Sequence, residues 1–179
     1  MIWIDSREKD HAIQKILNHF QSVHTKYFVS KLPVGDYMSL DNPRLVIDRK
    51  QNLSELCQNV CQDHKRFRSE LERANEYGIK LIILCEHGGA VKELKDVIHW
   101  INPRLRLSPM AMSGERLYKV LSAMGEKYGV RFEFCKKADT GEVYVLEFSR
   151  ESVRFAEQRG FKISELLDFP QTNIPNLFF

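Results

Sequence analysis

The sequence predicts an α/β fold in which helices cover both faces of a mixed β-sheet. Short runs of β-branched and apolar residues alternate along the chain with segments of helical periodicity. One of those runs, residues 80–86, is apolar without alternation, which is typical of a central strand covered on both faces. With 179 residues and 43% hydrophobic residues, the chain is long enough for one buried core and too short for two ordinary domains.

The N-terminal part of the chain is predicted to supply most of the sheet. Its predicted strands are 2–4, 26–32, 37–40 and 45–50. The first of them ends at Asp5 and is followed by a helix over 11–21, whose apolar residues recur at helical spacing. The segment Pro33-Val34-Gly35-Asp36 separates the second and third strands, so we expect a bend that exposes Asp36.

The remaining elements are predicted from caps and glycines. Ser54 is the predicted cap of one long helix that ends near Tyr77. Strands are predicted at 80–86 and 130–135. Helices are predicted at 91–101, at 116–128 with Ser113 as the cap, and at 142–168. The stretch 143–146 fits a strand equally well. No repeat or low-complexity segment is present.

Asp36 and Asp48 are the candidate ligands of a metal ion. On the strand 45–50 side chains alternate between faces, so Asp48 and Lys50 project to one side and Arg49 to the other. Phosphodiester hydrolysis needs a hard cation held by oxygen ligands, which the two carboxylates would supply. Lys50 would orient or deprotonate the attacking water, or stabilise the transition state. The alternative is an ordinary turn followed by an ordinary strand.

The end of the first predicted strand adds polar residues to the same edge. Asp5, Arg7 and Glu8 follow one another closely there. Asp5 would bind the metal directly or through water. Arg7 and Arg49 would hold phosphate or orient the carboxylates.

These three ordered motifs, Asp5-Ser6-Arg7-Glu8, Gly35-Asp36-Tyr37 and Val46 to Lys50, resemble those of the XPF-type nuclease domain. The resemblance implies the restriction-endonuclease-like fold of the PD-(D/E)xK superfamily over residues 1–137, arranged as in the short versions from phages and mobile elements. It implies a Mg²⁺-dependent endonuclease, with Mn²⁺ as a substitute, that acts on branched or flapped DNA. Residues 138–179 would form a C-terminal extension.

The sequence departs from the family pattern at two positions. Asp48 stands where the family has Glu. Aspartate is the shorter of the two carboxylates and can still bind Mg²⁺. The family's later Asp falls on Ser54, with Glu55 next to it, so that acidic role is shifted or absent. The tandem helix-hairpin-helix module of larger relatives is also absent after residue 137. A non-catalytic DNA-binding or scaffold subunit is the alternative function, although the presence of Asp36, Asp48 and Lys50 argues against it.

A dense cationic segment, 63–68, is a candidate DNA-binding surface. Positive side chains on this predicted helix could contact phosphates in a sequence-independent, salt-sensitive way. The candidates are Lys65, Arg66, Arg68 and Arg73. The alternative is a solvated helix face on which Glu70 and Glu72 pair with these cations.

Cys57, Cys61 and His64 lie on the same predicted helix face, and all three residue types bind zinc. That face also carries Leu53, Val60, Phe67 and Leu71, which is the pattern of a core-facing surface. Structural zinc normally needs four ligands from two segments. We therefore favour a packing role.

The C-terminal end, residues 169–179, is apolar and contains two prolines. Gln171, Ile174, Leu177 and Phe178 resemble the spacing of peptides that bind a sliding clamp. The alternative, which we favour, is that this segment docks on its own domain or on the second copy of a homodimer.

Composition and targeting patterns set the expected compartment. The formal charge of +3 is only mildly basic. The four cysteines lie in apolar contexts rather than a disulfide framework, and the N-terminus lacks the features of a signal peptide. We expect a cytoplasmic protein, in the host cytoplasm if phage-encoded, without a membrane span.

Overall fold

The computed structural model describes residues 1–158, and within that range six strands form one sheet. The strands are β1 (Ile2–Asp5), β2 (Tyr27–Ser30), β3 (Tyr37–Ser39), β4 (Leu45–Lys50), β5 (Lys80–Cys85) and β6 (Arg131–Phe134). Their order across the sheet is β2-β1-β3-β4-β5-β6. β3 is antiparallel to β1 and β4, whereas the pairs β1–β2, β4–β5 and β5–β6 are parallel. The prediction of a mixed sheet is confirmed.

Five α-helices cover the two faces of this sheet. They are α1 (Asp10–Ser22), α2 (Leu53–Cys61), α3 (His64–Glu76), α4 (Gly114–Tyr128) and α5 (Thr140–Gln158). Two short 3₁₀ helices, Leu94–His99 and Pro103–Arg106, connect β5 to α4. α1 and α5 pack on one face, and α2, α3 and α4 pack on the other. The predicted sandwich of helices around the sheet is therefore confirmed.

Two separate hydrophobic cores follow from the alternation of side chains along the strands. On β4, Val46 points into the core beneath α2, α3 and α4, while Leu45 and Ile47 point into the core beneath α1 and α5. The same alternation separates Ile83 from Ile82 on β5. Because β4 is buried along its whole length, its charged residues are fixed on defined faces of the sheet.

The predicted single helix from Ser54 to Tyr77 is wrong, because the chain forms two helices with a break at residues 62 and 63. Asn52, not Ser54, caps α2, and its side chain accepts a hydrogen bond from the Glu55 N–H at 2.9 Å. The break falls at the polar residues Gln62 and Asp63. Aspartate favours helix ends over helix interiors, because its side chain competes for backbone hydrogen bonds. Both helices still contribute to the same core.

The segment 91–101, predicted to be an α-helix, contains only the 3₁₀ helix Leu94–His99. The Asp96 carboxylate accepts hydrogen bonds from the N–H groups of Lys92 and Glu93 at 2.9 and 3.1 Å, which fixes a tight turn at its start. At the other end, the extended backbone of Trp100 ends the 3₁₀ helix.

Predictions for the C-terminal helices are confirmed within the described residues. Ser113 caps α4, and Gly129 ends it in the left-handed conformation, with φ of 65°. Residues 143–146 lie inside α5, so the helical alternative holds and the strand alternative is wrong.

The C-terminal part of the fold bears on the predicted domain boundary at residue 137, which stays a prediction. Tyr144 on α5 is fully buried, and its ring lies 4.2 Å, centroid to centroid, from that of Tyr37 on β3. Residues beyond 137 therefore contribute to the core beneath α1 and α5. No helix within residues 1–158 is long and apolar enough to cross a membrane.

Gly35 is required by the turn that leads into β3. Its φ of 63° lies in the left-handed region, and a Cβ added there would stand 2.4 Å from Val46 Cγ1 and 3.2 Å from the Ile47 carbonyl oxygen. A side chain is thus excluded both by backbone conformation and by the approach of β4. This contact holds the following residue, Asp36, against β4.

We expect Gly35→Ala to lower the free energy of unfolding by about 1 to 3 kcal/mol, because it combines overpacking with an unfavourable φ. Gly88→Ala is the matched control, since nothing lies within 4 Å of a Cβ at that exposed glycine. Urea unfolding of both variants measures the difference. Equal stabilities for the two would contradict this account of the turn.

Candidate active site

Asp48 and Lys50 face the same side of β4, towards α2 and α3, as the strand alternation predicts. Lys50 Nζ donates a hydrogen bond to Asp48 Oδ1 at 2.9 Å and lies 2.7 Å from Oδ2. The geometry at Oδ2 is not that of a hydrogen bond, so this buried oxygen accepts none in the described structure. Asp48 is only 3% exposed. A carboxylate oxygen therefore lies in the interior with an ammonium as its sole ionic partner.

Asp36 is held between β1 and β4 by its backbone and its side chain. Its N–H donates to the Ile47 carbonyl at 3.0 Å, and its own carbonyl accepts from the Asp5 N–H at 2.7 Å. Oδ2 accepts from the backbone N–H of Arg49 at 2.8 Å. Since these contacts join β1 to β4 around Asp36, its carboxylate is directed to the edge where Asp48 stands.

The Asp36 and Asp48 carboxyl groups contact each other. Burial, followed by the negative charges of Asp48 and Glu8, raises the pKa of Asp36 well above its usual value. Like charges in a site of low polarity favour the protonated form, because the ionised pair would repel. The geometry thus concentrates negative charge where a cation would relieve the repulsion.

Lys50 carries its positive charge in this arrangement. Burial acts to lower the pKa of Lys50, but the charges of Asp48, Asp36 and Glu70 outweigh it and raise that pKa on balance. Its ammonium also lies 5.8 Å above the centre of the Phe67 ring. Lys50 consequently donates its hydrogen bond to the Asp48 carboxylate as a charged ammonium.

Asp5 and Arg7 form a compact hydrogen-bonded pair at the end of β1. Asp5 Oδ1 accepts from the N–H and Nε of Arg7, and Oδ2 accepts from Arg7 Nη2 and from the Leu32 N–H, all at 2.7 Å. The carboxylate is fully buried, and although burial would raise its pKa, these bonds lower it. Both oxygens of Asp5 therefore hold protein groups, whereas the Arg7 side chain is 62% exposed.

Arg49 lies on the opposite face of β4 and is enclosed by carboxylates. Its Nε and Nη2 donate to the two oxygens of Glu86 at 2.9 and 3.0 Å, and its Nη1 donates to Glu8 at 2.9 Å. Glu86 also accepts a 2.7 Å hydrogen bond from the Thr140 hydroxyl on α5. Only 2% of the Arg49 side chain is exposed. The guanidinium of Arg49 is thus bonded to carboxylates and shielded from solvent, and its catalytic role stays a prediction.

Glu70 and Glu86 belong to this site although neither was a predicted site residue. Glu70, on α3, accepts a hydrogen bond from the Gly35 N–H at 3.1 Å. Burial and the charge of Asp48 raise the pKa of Glu70. Glu86 directly follows β5, and its position one residue past a buried strand is the only sequence signal for it. Glu70 has no local signal, because it stands within a charged helix.

Glu55 stands next to the position of the family's later Asp. In the structure it caps its own helix. Its Oε2 accepts a hydrogen bond from the Gln51 N–H at 2.8 Å. Together with the bond from its own N–H to Asn52, this forms a reciprocal cap at the start of α2.

The four cationic candidates on α3 are all exposed, in different surroundings. Arg68 Nε forms an ion pair with Glu72 at 2.7 Å, as the helix-face alternative predicted. Arg73 lies near enough to Glu70 to lower the pKa of that carboxyl against the effect of burial. Lys65 and Arg66 stand at the first turn of the helix and are open to solvent.

Of the three zinc candidates, only Cys57 packs as the core-facing interpretation predicts, because Cys61 and His64 are exposed. Cys57 is buried with Val60 and Phe67 in the core beneath α2, α3 and α4. Cys61 Sγ lies 3.8 Å from Cys57 Sγ, while His64 begins the next helix. Within residues 1–158, no group of three or more His, Cys, Asp or Glu side chains stands ready to hold a metal ion. The Asp48 carboxylate on β4 is paired with Lys50.

The predicted clamp-binding residues, Gln171, Ile174, Leu177 and Phe178, lie outside the described residues. Both interpretations of that segment stay predictions.

Comparison with known proteins identifies the family. The model of the ERCC4 domain matches residues 4–146, and a second model, a domain of unknown function (DUF5055), matches residues 128–179. No curated protein matches the sequence. Among solved structures, XPF from Aeropyrum pernix has a TM-score of 0.61 at 21% identity, covering 96% of this chain and 75% of its own. The same protein in complex with DNA gives 0.57 at 19% identity with the same coverage.

Because the match spans most of the chain, this protein belongs to the ERCC4 domain family. Its fold is that of the XPF nucleases, a restriction-endonuclease-like α/β sandwich. The resemblance drawn from the three N-terminal motifs is confirmed: the chain carries an XPF-type nuclease domain.

Proposed function

We propose that this protein is a metal-dependent DNA endonuclease that uses Asp36, Asp48 and Lys50 for phosphodiester hydrolysis. The observation that carries the proposal is the convergence of these three side chains at the junction of β1, β3 and β4, with one buried oxygen of Asp48 lacking a hydrogen bond. Membership of the ERCC4 domain family supports it independently.

The residues present fit Mg²⁺, with Mn²⁺ as a substitute. Both are hard cations that prefer carboxylate oxygens, and the Asp48 oxygen without a hydrogen bond is the type of group that such an ion satisfies. Asp36 and Asp48 would hold the ion. When bound, it would polarise the phosphate and lower the pKa of water. In the absence of the ion, Lys50 offsets part of the same charge.

Lys50 acts in this proposal as a positively charged donor. Its ammonium would donate a hydrogen bond to the attacking water or to a phosphate oxygen. Donors fixed in a buried site stabilise developing negative charge without reorganisation.

We assign positioning roles to Asp5 and Arg49, and a phosphate-contacting role to Arg7. Asp5 uses both oxygens to join Arg7 to the backbone at Leu32, which supports an anchoring function rather than direct ligation. Arg49 presents its backbone N–H to Asp36 while its guanidinium is held by Glu86 and Glu8. The exposed guanidinium of Arg7 is available to a substrate phosphate.

The proposed DNA path runs along α3. Lys65 and Arg66 lie at its first turn, and Glu70 on the same helix reaches the turn at Gly35, so phosphates bound there would be adjacent to the carboxylates. Arg68 and Arg73 would extend this surface. A fold shared with an XPF structure solved with DNA supports the assignment.

We further propose branched, flapped or forked DNA as the substrate, in recombination, repair or replication, and a cytoplasmic setting, including that of a phage host. One gel assay tests this preference: linear, flapped, forked and four-way DNA incubated with Mg²⁺, Mn²⁺, Ca²⁺ or EDTA. Cleavage near junctions with Mg²⁺ or Mn²⁺, and none with EDTA, is the expected pattern. Faster cleavage of linear DNA would contradict the proposed preference for branched, flapped or forked DNA.

We expect Asp36→Asn and Asp48→Asn each to abolish cleavage, because each removes charge stabilisation specific to the transition state. DNA affinity, measured by fluorescence anisotropy in Ca²⁺, should stay near that of the wild type or increase. Asp41→Asn is the control, since Asp41 is exposed and pairs with the N-terminus at 2.9 Å. Full activity in the two site variants would contradict the assignment of Asp36 and Asp48 as metal ligands.

Lys50→Met should lose cleavage while retaining Mn²⁺ affinity. The substitution keeps the aliphatic stem of the side chain but removes the ammonium that competes for Asp48. Calorimetric titration with Mn²⁺ and a cleavage assay separate the two effects. Wild-type turnover would exclude Lys50 from the reaction, and complete loss of Mn²⁺ binding would make its role structural.

Replacing both Lys65 and Arg66 with Ala should weaken DNA binding and reduce the slope of log affinity against log salt by about two, one per lost phosphate contact. The control is Lys15→Ala with Lys26→Ala, which removes two exposed charges, one from α1 on the opposite face of the sheet and one from the loop before β2. An unchanged slope in the first variant would show that this part of α3 is ordinary surface.

A further inference from the structure

We propose that Glu70 supplies a third carboxylate to the cation site, in place of the acid that the family pattern puts where Ser54 stands here. This inference rests on the proposed function, because it concerns the same metal ion. It adds a ligand from α3, a segment that contains none of the three motifs.

Contacts of Glu70 place it near both predicted ligands, although in the described structure the three carboxylates do not converge as a ready cation site. Its Oε1 accepts the Gly35 N–H at 3.1 Å, and Gly35 immediately precedes Asp36. Its charge acts on Lys50, and Asp48 acts on Glu70, so the four ionisable groups share one region on the same face of β4. Glu70 is half-buried, which leaves it accessible from solvent at the rim of the site.

A second observation points to an absent cation at this position. Asp48 Oδ2 is buried and accepts no hydrogen bond, although Lys50 Nζ lies 2.7 Å from it. Buried polar atoms are nearly always hydrogen-bonded, and a bound ion is one explanation for an exception of this kind. With all three carboxyls ionised, these groups and the Lys50 ammonium would carry a formal charge of −2, which a divalent cation would neutralise.

Neither residue at the expected sequence position can provide the third carboxylate. Ser54 has no carboxylate, and Glu55 uses its Oε2 to cap the start of α2 through Gln51. Glu8, the other nearby acid, is bound by Arg49 and Tyr37 at 2.9 and 3.3 Å on the opposite face. Glu70, by contrast, interacts with Asp48 from α3, on the same side of the sheet.

The alternative is that Glu70 only anchors the turn at Gly35. Glu70→Gln separates the two roles, because the amide oxygen can still accept the Gly35 N–H while the negative charge is lost. Glu76→Gln is the matched control, on the same helix and exposed. The measurement is the dissociation constant of Mn²⁺ by calorimetry on the full chain, with melting temperature recorded for each variant.

We expect Glu70→Gln to weaken Mn²⁺ binding by about tenfold or more, as loss of a ligand or its close support does, and Glu76→Gln to leave it unchanged. Mn²⁺ affinity within twofold of the wild type in a folded Glu70→Gln variant overturns the inference. If the wild type binds Mn²⁺ and cleaves DNA in that case, the proposed function survives. A wild type that neither binds Mn²⁺ nor cleaves DNA overturns both.

Carboxyl labelling of the wild-type protein gives a test that needs no substitution. Glu70 and Glu76 are modified with a carbodiimide and an amine, with and without Mn²⁺, and quantified by mass spectrometry. The inference predicts that Mn²⁺ protects Glu70 and not Glu76. Equal labelling of Glu70 in the two conditions contradicts it, even if the Glu70→Gln variant does not fold.

Discussion

The structure depends on one constraint: β4 carries three consecutive charged residues through the interior of the protein. Asp48, Arg49 and Lys50 are 3%, 5% and 8% exposed. An unpaired charge at such a position costs several kcal/mol, so each must have a partner. Strand alternation sends them to different faces, and the elements packed on each face supply those partners.

The two faces satisfy this constraint in different ways. Beneath α1 and α5, Arg49 is enclosed by Glu86 and Glu8, and the Thr140 hydroxyl binds Glu86, so every charge has an opposite partner. Beneath α2 and α3, negative charge exceeds positive charge, and one Asp48 oxygen has no hydrogen bond. The first face is a closed structural network. The second differs because one buried Asp48 oxygen lacks a hydrogen bond, and on that difference we base the separation of positioning residues from the proposed catalytic ones.

Local patterns were enough to predict the β4 geometry and most of the fold. Alternation along 45–50 places Asp48 beside Lys50, and the glycine in Gly35-Asp36 marks the turn that brings Asp36 to them. The sequence could not predict that both oxygens of Asp5 are already hydrogen-bonded, because the fourth hydrogen bond comes from the Leu32 N–H, 27 residues away. Glu70 was missed for the same reason: its contact with Gly35 spans 35 residues. The break between α2 and α3 was missed because both helices present apolar residues to one core, so their periodicity looks continuous.

The central claim is that the carboxylates on the α2 and α3 side of β4 form a divalent-cation site that Lys50 occupies in the metal-free protein. Anomalous diffraction from crystals soaked in Mn²⁺ tests it most directly. The account predicts a Mn²⁺ peak bound by oxygens of Asp36 and Asp48, with Lys50 Nζ displaced from Asp48 Oδ2. An intact Lys50–Asp48 pair at saturating Mn²⁺, with no peak beside it, would contradict the account.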